Sequence, residues 1–135
     1  DAWTQSAFQD DIRFLGYLPE EELKKVTASA LALTYLSLFE GFGLPILEAM
    51  HCDVPVIASA VASMPEVAGD AALLADPAQV DQMADAMVEI WKKPGLRESL
   101  IARGRAQRAT FSWDSAAQKI YTVLEQAVNE KSARG

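Results

Sequence analysis

Two carboxylates and the turn between them are where this chain is best equipped for chemistry. Glu40 and Glu48 stand on either side of Gly41-Phe42-Gly43, and Pro45 follows where a helix would open. Proline suits a first helical turn, where its absent N–H costs nothing. A helix start offers free N–H groups and the positive end of a dipole to an anion or an oxygen-rich ligand. Gly41 and Gly43 remove side-chain bulk, so such a ligand could approach the main chain. Glu40 precedes the helix, at the mouth of this turn. Glu48 lies about one turn inside, where its carboxylate could accept paired hydrogen bonds from adjacent hydroxyls, as a ribose offers. Hydrogen bonds to a charged acceptor are typically worth about 1.5–3 kcal/mol each. Residue types and spacing leave another reading equally open. Both glutamates could be solvated surface groups, since a Gly-rich turn before a helix is weak evidence by itself.

The elements around the turn must place it. The run from Leu31 to Leu36 is short and nearly all apolar, which predicts a strand buried on both faces ending just before the turn. Residues 12–15 and 54–58 read as further strands, and residues 71–75 as a weaker one. Pro19 opens a helix whose first-turn Glu20, Glu21 and Glu22 suit the dipole. Leu44-Pro45 opens the next, ending near Cys52, and residues 63–67 form a helical turn. Asp76-Pro77-Ala78-Gln79 reads as a capping box, with Gln79 reaching back to Asp76. Val80, Met83, Met87 and Trp91 mark one face of the helix that follows, which Pro94-Gly95 ends. Leu96, Leu100 and Ile101 mark another helix. Ser112 caps a last one, where Trp113, Ala117, Ile120, Tyr121, Leu124 and Val128 share a face. Strands alternating with helices imply an α/β fold: a Rossmann-like parallel sheet with helices on both faces, followed by three C-terminal helices. Ligands of such sheets bind beyond the carboxyl ends of the strands, where the Glu40–Gly43 turn lies.

Composition narrows the function. The chain has 135 residues, half of them hydrophobic, which is enough for a domain core. Its formal charge of −7 argues against nucleic acid as a partner. One cysteine, Cys52, excludes an internal disulfide and fits a reducing compartment. No apolar run reaches the roughly 18 residues that span a bilayer. The opening Asp1-Ala2-Trp3-Thr4 lacks the basic start of a signal peptide, and the chain runs almost at once into a strand, as a fragment of a longer protein would. His51, the one histidine, reads as a helix residue without a role, and Cys52 as a core or boundary residue. Glu66 reads equally as a helix-terminal residue and as a ligand contact. Met83, Met87 and Trp91 read as core or as a contact face. Arg103, Arg105 and Arg108 read as a solvated basic face.

The stretch from Ser37 through Glu40-Gly41-Phe42-Gly43-Leu44-Pro45 to Glu48-Ala49-Met50 resembles the signature of the retaining glycosyltransferases of family four. These are metal-independent, nucleotide-sugar-dependent enzymes of the two-domain type B fold. Their hallmark is a pair of glutamates separated by seven residues, as here. Phe14-Leu15-Gly16-Tyr17, Val54 to Ser59, Ser63 to Val67, Gly69 to Ala72, Asp76-Pro77 and Phe111-Ser112-Trp113 are similar to further family segments. The resemblance implies that residues 1–135 are the later part of a C-terminal nucleotide-sugar-binding domain, without the N-terminal acceptor domain. It implies that Glu40 is the catalytic-site carboxylate beside the donor sugar. Gly41, Phe42, Gly43 and Leu44 would meet the sugar and phosphate, Glu48 would hold the ribose, and Gly16 and Tyr17 would lie near the base. It implies no cofactor and no metal. The partners would be a nucleotide-sugar donor and a sugar or lipid-linked acceptor. Localisation would be cytoplasmic, with peripheral membrane association open through the N-terminal domain.

Two positions depart from the family pattern. Asp53 stands where a glycine is usual, which a left-handed turn tolerates, and Leu36 stands where a proline is common. The family's diphosphate-binding Arg and Lys would lie upstream of residue 1, so the chain by itself is expected to be inactive. A nucleotide-sugar epimerase and a non-catalytic binding or assembly module of the same fold are the competing readings.

Overall fold

The computed structural model describes residues 2–133. Three parallel strands form one sheet in the order β1-β2-β3: β1 (Leu33–Tyr35), β2 (Val56–Ser59) and β3 (Ala72–Ala75). Leu33 pairs with Val56, and Val56 with Ala72. The helices are α1 (Glu20–Ala28), α2 (Leu44–His51), α3 (Met64–Ala68), α4 (Val80–Lys92), α5 (Pro94–Arg108) and α6 (Trp113–Ala133).

Every residue of β2 is buried, as a central strand of a parallel sheet requires. Its side chains alternate between two cores. Val56 and Ala58 join Ile46, Met50, Met64 and Val67 of α2 and α3 on one face. Ile57 joins Ala86, Ile90 and Leu100 of α4 and α5 on the other. The parallel α/β sheet with helices on both faces and three closing helices is therefore present as the sequence implies.

Four local expectations need correction. Residues 12–15 form no strand. Phe14 and Leu15 are exposed, and among the described residues β1 pairs with β2 alone. An extended apolar segment becomes a strand only where a neighbour completes its hydrogen bonds. Instead, Phe14 packs edge-to-face on Trp3, and a short 3₁₀ turn covers Gln9–Asp11. Second, Gln79 does not close the capping box. The Asp76 carboxylate accepts from the Ala78 N–H at 2.9 Å, and Gln82 is the side chain that reaches back to the Asp76 N–H, at 3.1 Å. Third, Pro94 opens α5 rather than only ending α4. Arg97 then closes α4 by donating to the carbonyls of Ile90 and Trp91.

Fourth, Arg103, Arg105 and Arg108 of α5 are more than a solvated face: they are partly exposed but paired with acidic partners. Asp53 adopts the left-handed conformation, at φ 56°, in the glycine-like turn after α2. Its carboxylate accepts two hydrogen bonds from Arg105, at 2.9 and 2.7 Å, and one from Arg108 at 3.2 Å. Arg108 also donates to the Met50 carbonyl at the end of α2. Arg103 lies 3.9 Å from Asp70. Aspartate thus fits the turn and ties α5 to α2, which carries Glu48.

The Arg105 hydrogen bond, opposed by partial desolvation and reinforced by both arginine charges, holds Asp53 below the usual aspartate range. A carboxyl lowered in this way stabilises the fold above its unfolded pKa, near 4, and loses that contribution as pH falls through the folded value. Asp53→Asn keeps a residue that accepts left-handed backbone and removes the charge. Its melting temperature should lie below that of the unsubstituted chain at pH 7, and the gap should close below about pH 4. Circular-dichroism melts from neutral to acidic pH read this directly.

Candidate functional site

β1 ends at Tyr35, and the chain crosses the carboxyl edge of the sheet through residues 36–43 before entering α2. Three side chains from separate parts of the sequence hold this crossing. The Ser63 hydroxyl donates to the carbonyls of Glu40 and Phe42, both at 2.9 Å. Phe42 packs edge-to-face on Phe111, with ring centroids 5.9 Å apart. Phe111 is itself packed against the α2–α3 core. The Tyr35 phenol lies close enough to the Glu40 carboxylate for that carboxylate to govern its titration.

The Glu40 hydrogen bond, partial burial and the carboxylate's charge push the Tyr35 pKa up to about 12. The raised value means that the phenol's contribution to stability is intact below the ordinary tyrosine pKa near 10. It is lost as pH rises through about 12. Tyrosinate absorbance should therefore show a late step near pH 12 that Tyr35→Phe removes and Glu40→Gln moves downward. A step unchanged in Glu40→Gln would separate the two side chains.

The two glycines of the turn have different reasons to be glycine. Gly43 precedes α2 at φ 101°, a backbone that L side chains rarely adopt. A Cβ there would also meet Ile46 at 3.3 Å and Met64 at 3.7 Å. A Cβ added at Gly41 would meet no atom beyond its chain neighbours within 4 Å, and Gly41 does not have positive φ. Nothing inside the fold demands a glycine at Gly41. No side chain caps α2, and Pro45 sits in its first turn. Pro45 has no N–H and the Ile46 N–H donates to the Gly43 carbonyl at 3.0 Å, so among the described residues the Leu44 N–H is the one at the helix start left to solvent or to a ligand.

Glu40 is half-buried in the crossing, beside the exposed Gly41 and Phe42. Glu48 is exposed on α2 and lines a groove against α1, together with His51, Cys52, Lys24 and Thr27. Gly16 takes positive φ, at 66°, and the Gly16–Tyr17 loop leads directly into α1, with Tyr17 almost fully exposed. The crossing joins Glu40 to the start of α2. The α1–α2 groove joins Glu48 to the helix that follows the Gly16–Tyr17 loop. Tyr35 and Ser63 are the residues that sequence reasoning missed. Tyr35 could have been suspected, as the polar-tipped residue at the carboxyl end of a strand. Ser63 opens a segment similar to the family, but its role here carried no signal, because its partners lie more than 20 positions away.

The family described as "Glycosyl transferases group 1" matches residues 3–107. The chain belongs to the group 1 glycosyltransferases. Among its relatives, the O-antigen chain mannosyltransferase B of Escherichia coli is 50% identical over 104 residues, covering 77% of this chain and 27% of the relative. The MMP alpha-(1->4)-mannosyltransferase of Mycolicibacterium hassiacum is 36% identical over 120 residues, covering 86% and 29%. The sucrose-phosphate synthase structure from Thermosynechococcus elongatus superposes with a TM-score of 0.83 at 27% identity, covering 96% of this chain and 33% of that one. This group 1 glycosyltransferase chain thus spans about a quarter to a third of the length of those proteins. Among its described residues no helix is long and apolar enough to cross a membrane.

Proposed function

We propose that this chain is the later part of the donor-binding domain of a retaining glycosyltransferase. The parent enzyme would transfer a sugar from a nucleoside diphosphate to a sugar or lipid-linked acceptor. The observation that carries this reading is the Glu40–Leu44 crossing. It brings a half-buried carboxylate beside Tyr35, an uncrowded glycine and a helix start without a side-chain cap to the carboxyl edge of a parallel sheet. Glu40 would accept a hydrogen bond from a hydroxyl of the donor sugar. The N–H groups around Gly43 and Leu44 would face the sugar and diphosphate. Glu48 would take the two ribose hydroxyls, and Gly16 and Tyr17 would border the base. In the reaction the bond from the anomeric carbon to the diphosphate breaks, the acceptor hydroxyl oxygen bonds to that carbon on the same face, and the hydroxyl proton leaves with the diphosphate. The departing diphosphate would be stabilised without a bound metal, by the helix start and by an Arg and a Lys upstream of residue 1.

The names of the mannosyltransferase relatives support mannose as the first sugar to test. The acidic, single-cysteine composition fits a cytoplasmic enzyme, and any peripheral membrane contact would come from the N-terminal domain. Radiolabelled GDP-mannose and UDP-glucose, offered to the full-length protein with a lipid-linked glycan acceptor, test this. Labelled product whose new linkage has the donor's anomeric configuration by NMR supports the reading. Inverted product refutes retention, and transfer by residues 1–135 alone refutes the inactivity of the isolated chain.

A further inference from the structure

The turn before α3 contains a backbone feature that its own packing does not explain. Ala62 adopts φ 54°, the left-handed region that L residues other than asparagine and aspartate seldom enter. It is an exposed alanine, with no side-chain hydrogen bond to compensate. Such outliers persist where the surrounding structure over-determines them, and they cluster where the strain serves a site. The residue that this turn delivers is Ser63.

One hydroxyl proton of Ser63 is shared between the carbonyls of Glu40 and Phe42, at 2.9 Å each, across more than 20 residues of chain. No other donor reaches either carbonyl among the described residues. Drawing together carbonyls two positions apart fixes the bend at Gly41, which nothing else in the fold crowds. Phe111 anchors the far side of that bend through Phe42. Glu40 is thus set through its backbone by Ser63, with the Tyr35 phenol beside its carboxylate.

We propose that Ser63, aimed by the strained turn at Ala62, is a positioning residue that sets Glu40 for work on the donor sugar. This rests on reading Glu40–Leu44 as the sugar-facing loop. Ser63 itself touches neither sugar nor nucleotide. It fixes the geometry of the carboxylate that does, and misplacement of a reacting constellation by about 1 Å can cost roughly a hundredfold in rate.

The test uses the full-length protein, GDP-mannose or UDP-glucose as donor (whichever the unsubstituted enzyme turns over), and the matching nucleoside diphosphate as a sugar-free probe. Ser63→Ala should lower kcat about tenfold or more. Its affinity for the sugar-free diphosphate should stay within about twofold, because Glu48 and α2 are untouched. Ser63→Thr, which keeps the hydroxyl, should recover most of the rate. In a Glu40→Gln background Ser63→Ala should cost almost nothing further, as coupled residues show. An unchanged kcat, equal losses of diphosphate affinity and kcat, or full additivity with Glu40→Gln would each overturn the proposal. If Ser63→Ala misfolds, the Ser63→Thr rate decides, and a threonine variant that folds but stays as slow as Glu40→Gln overturns it. No turnover by the unsubstituted enzyme with either donor refutes the functional reading itself, a result distinct from all of these.

Discussion

Glu48→Ala should weaken binding of a nucleoside diphosphate to the full-length protein about a hundredfold or more, with little change in fold stability. A carboxylate that accepts two ribose hydroxyls contributes about 1.5–3 kcal/mol per hydrogen bond, and each 1.4 kcal/mol is tenfold in affinity. Glu48 is exposed on α2 and none of the fold's ion pairs involves it among the described residues, so its removal strains nothing inside. Glu48→Gln keeps one acceptor oxygen without the charge and should fall between the two. The discriminating comparison is the 2′,3′-dideoxy nucleotide. It should bind the unsubstituted protein about as weakly as the natural nucleotide binds Glu48→Ala. Isothermal calorimetry reads both, and equal affinity of Glu48→Ala and the unsubstituted protein would remove Glu48 from the ribose site.

Gly43→Ala and Gly41→Ala should part company. At φ 101° and with Ile46 only 3.3 Å from the added Cβ, alanine at Gly43 forces either the backbone or the core to move. Strain of this kind costs on the order of 1–3 kcal/mol. Because Gly43 precedes α2, the same shift would also turn the helix start away from the proposed position of the donor. Gly43→Ala should therefore lose both stability and donor binding. Gly41→Ala has open space around it and no positive φ, so its urea midpoint should match that of the unsubstituted protein. On the proposed reading its affinity for the nucleotide sugar should still fall, because the new methyl would stand where the sugar would meet the main chain. Stable Gly41→Ala with unaltered donor affinity would place the sugar elsewhere.

What was legible in the sequence was local or periodic. The apolar run before Glu40, the proline after Gly43 and the alternation of strands with helices sufficed for the parallel sheet and for the place of the turn at its edge. Asp53 was legible as a left-handed residue, because aspartate tolerates that backbone. Its second task was not. The arginines it binds lie 52 and 55 positions onward, and only the packing of α5 on α2 brings them to it. The strand expected at residues 12–15 failed for a related reason. Apolar content can nominate a strand, but a pairing neighbour makes one, and β1 carries none on that side among the described residues. Ser63 was invisible because a serine in a turn has many uses, and its partners are two main-chain carbonyls that no residue type advertises.

The apolar face that the sequence implies for α6 is present and, among the described residues, largely exposed. Trp113, Ile120, Tyr121, Leu124 and Val128 are all exposed. Ser112 caps the helix as its residue type suggests, with the Ser115 N–H donating to the Ser112 hydroxyl at 3.1 Å.

A crystal structure of the full-length protein with an intact nucleotide sugar bound puts the central claim to its most direct trial. Electron density should show the two ribose hydroxyls on the Glu48 carboxylate and a sugar hydroxyl on Glu40, with the diphosphate against the start of α2. Density for the nucleotide sugar that leaves both glutamates in solvent, or that seats the diphosphate away from Gly43 and Leu44, would contradict the account.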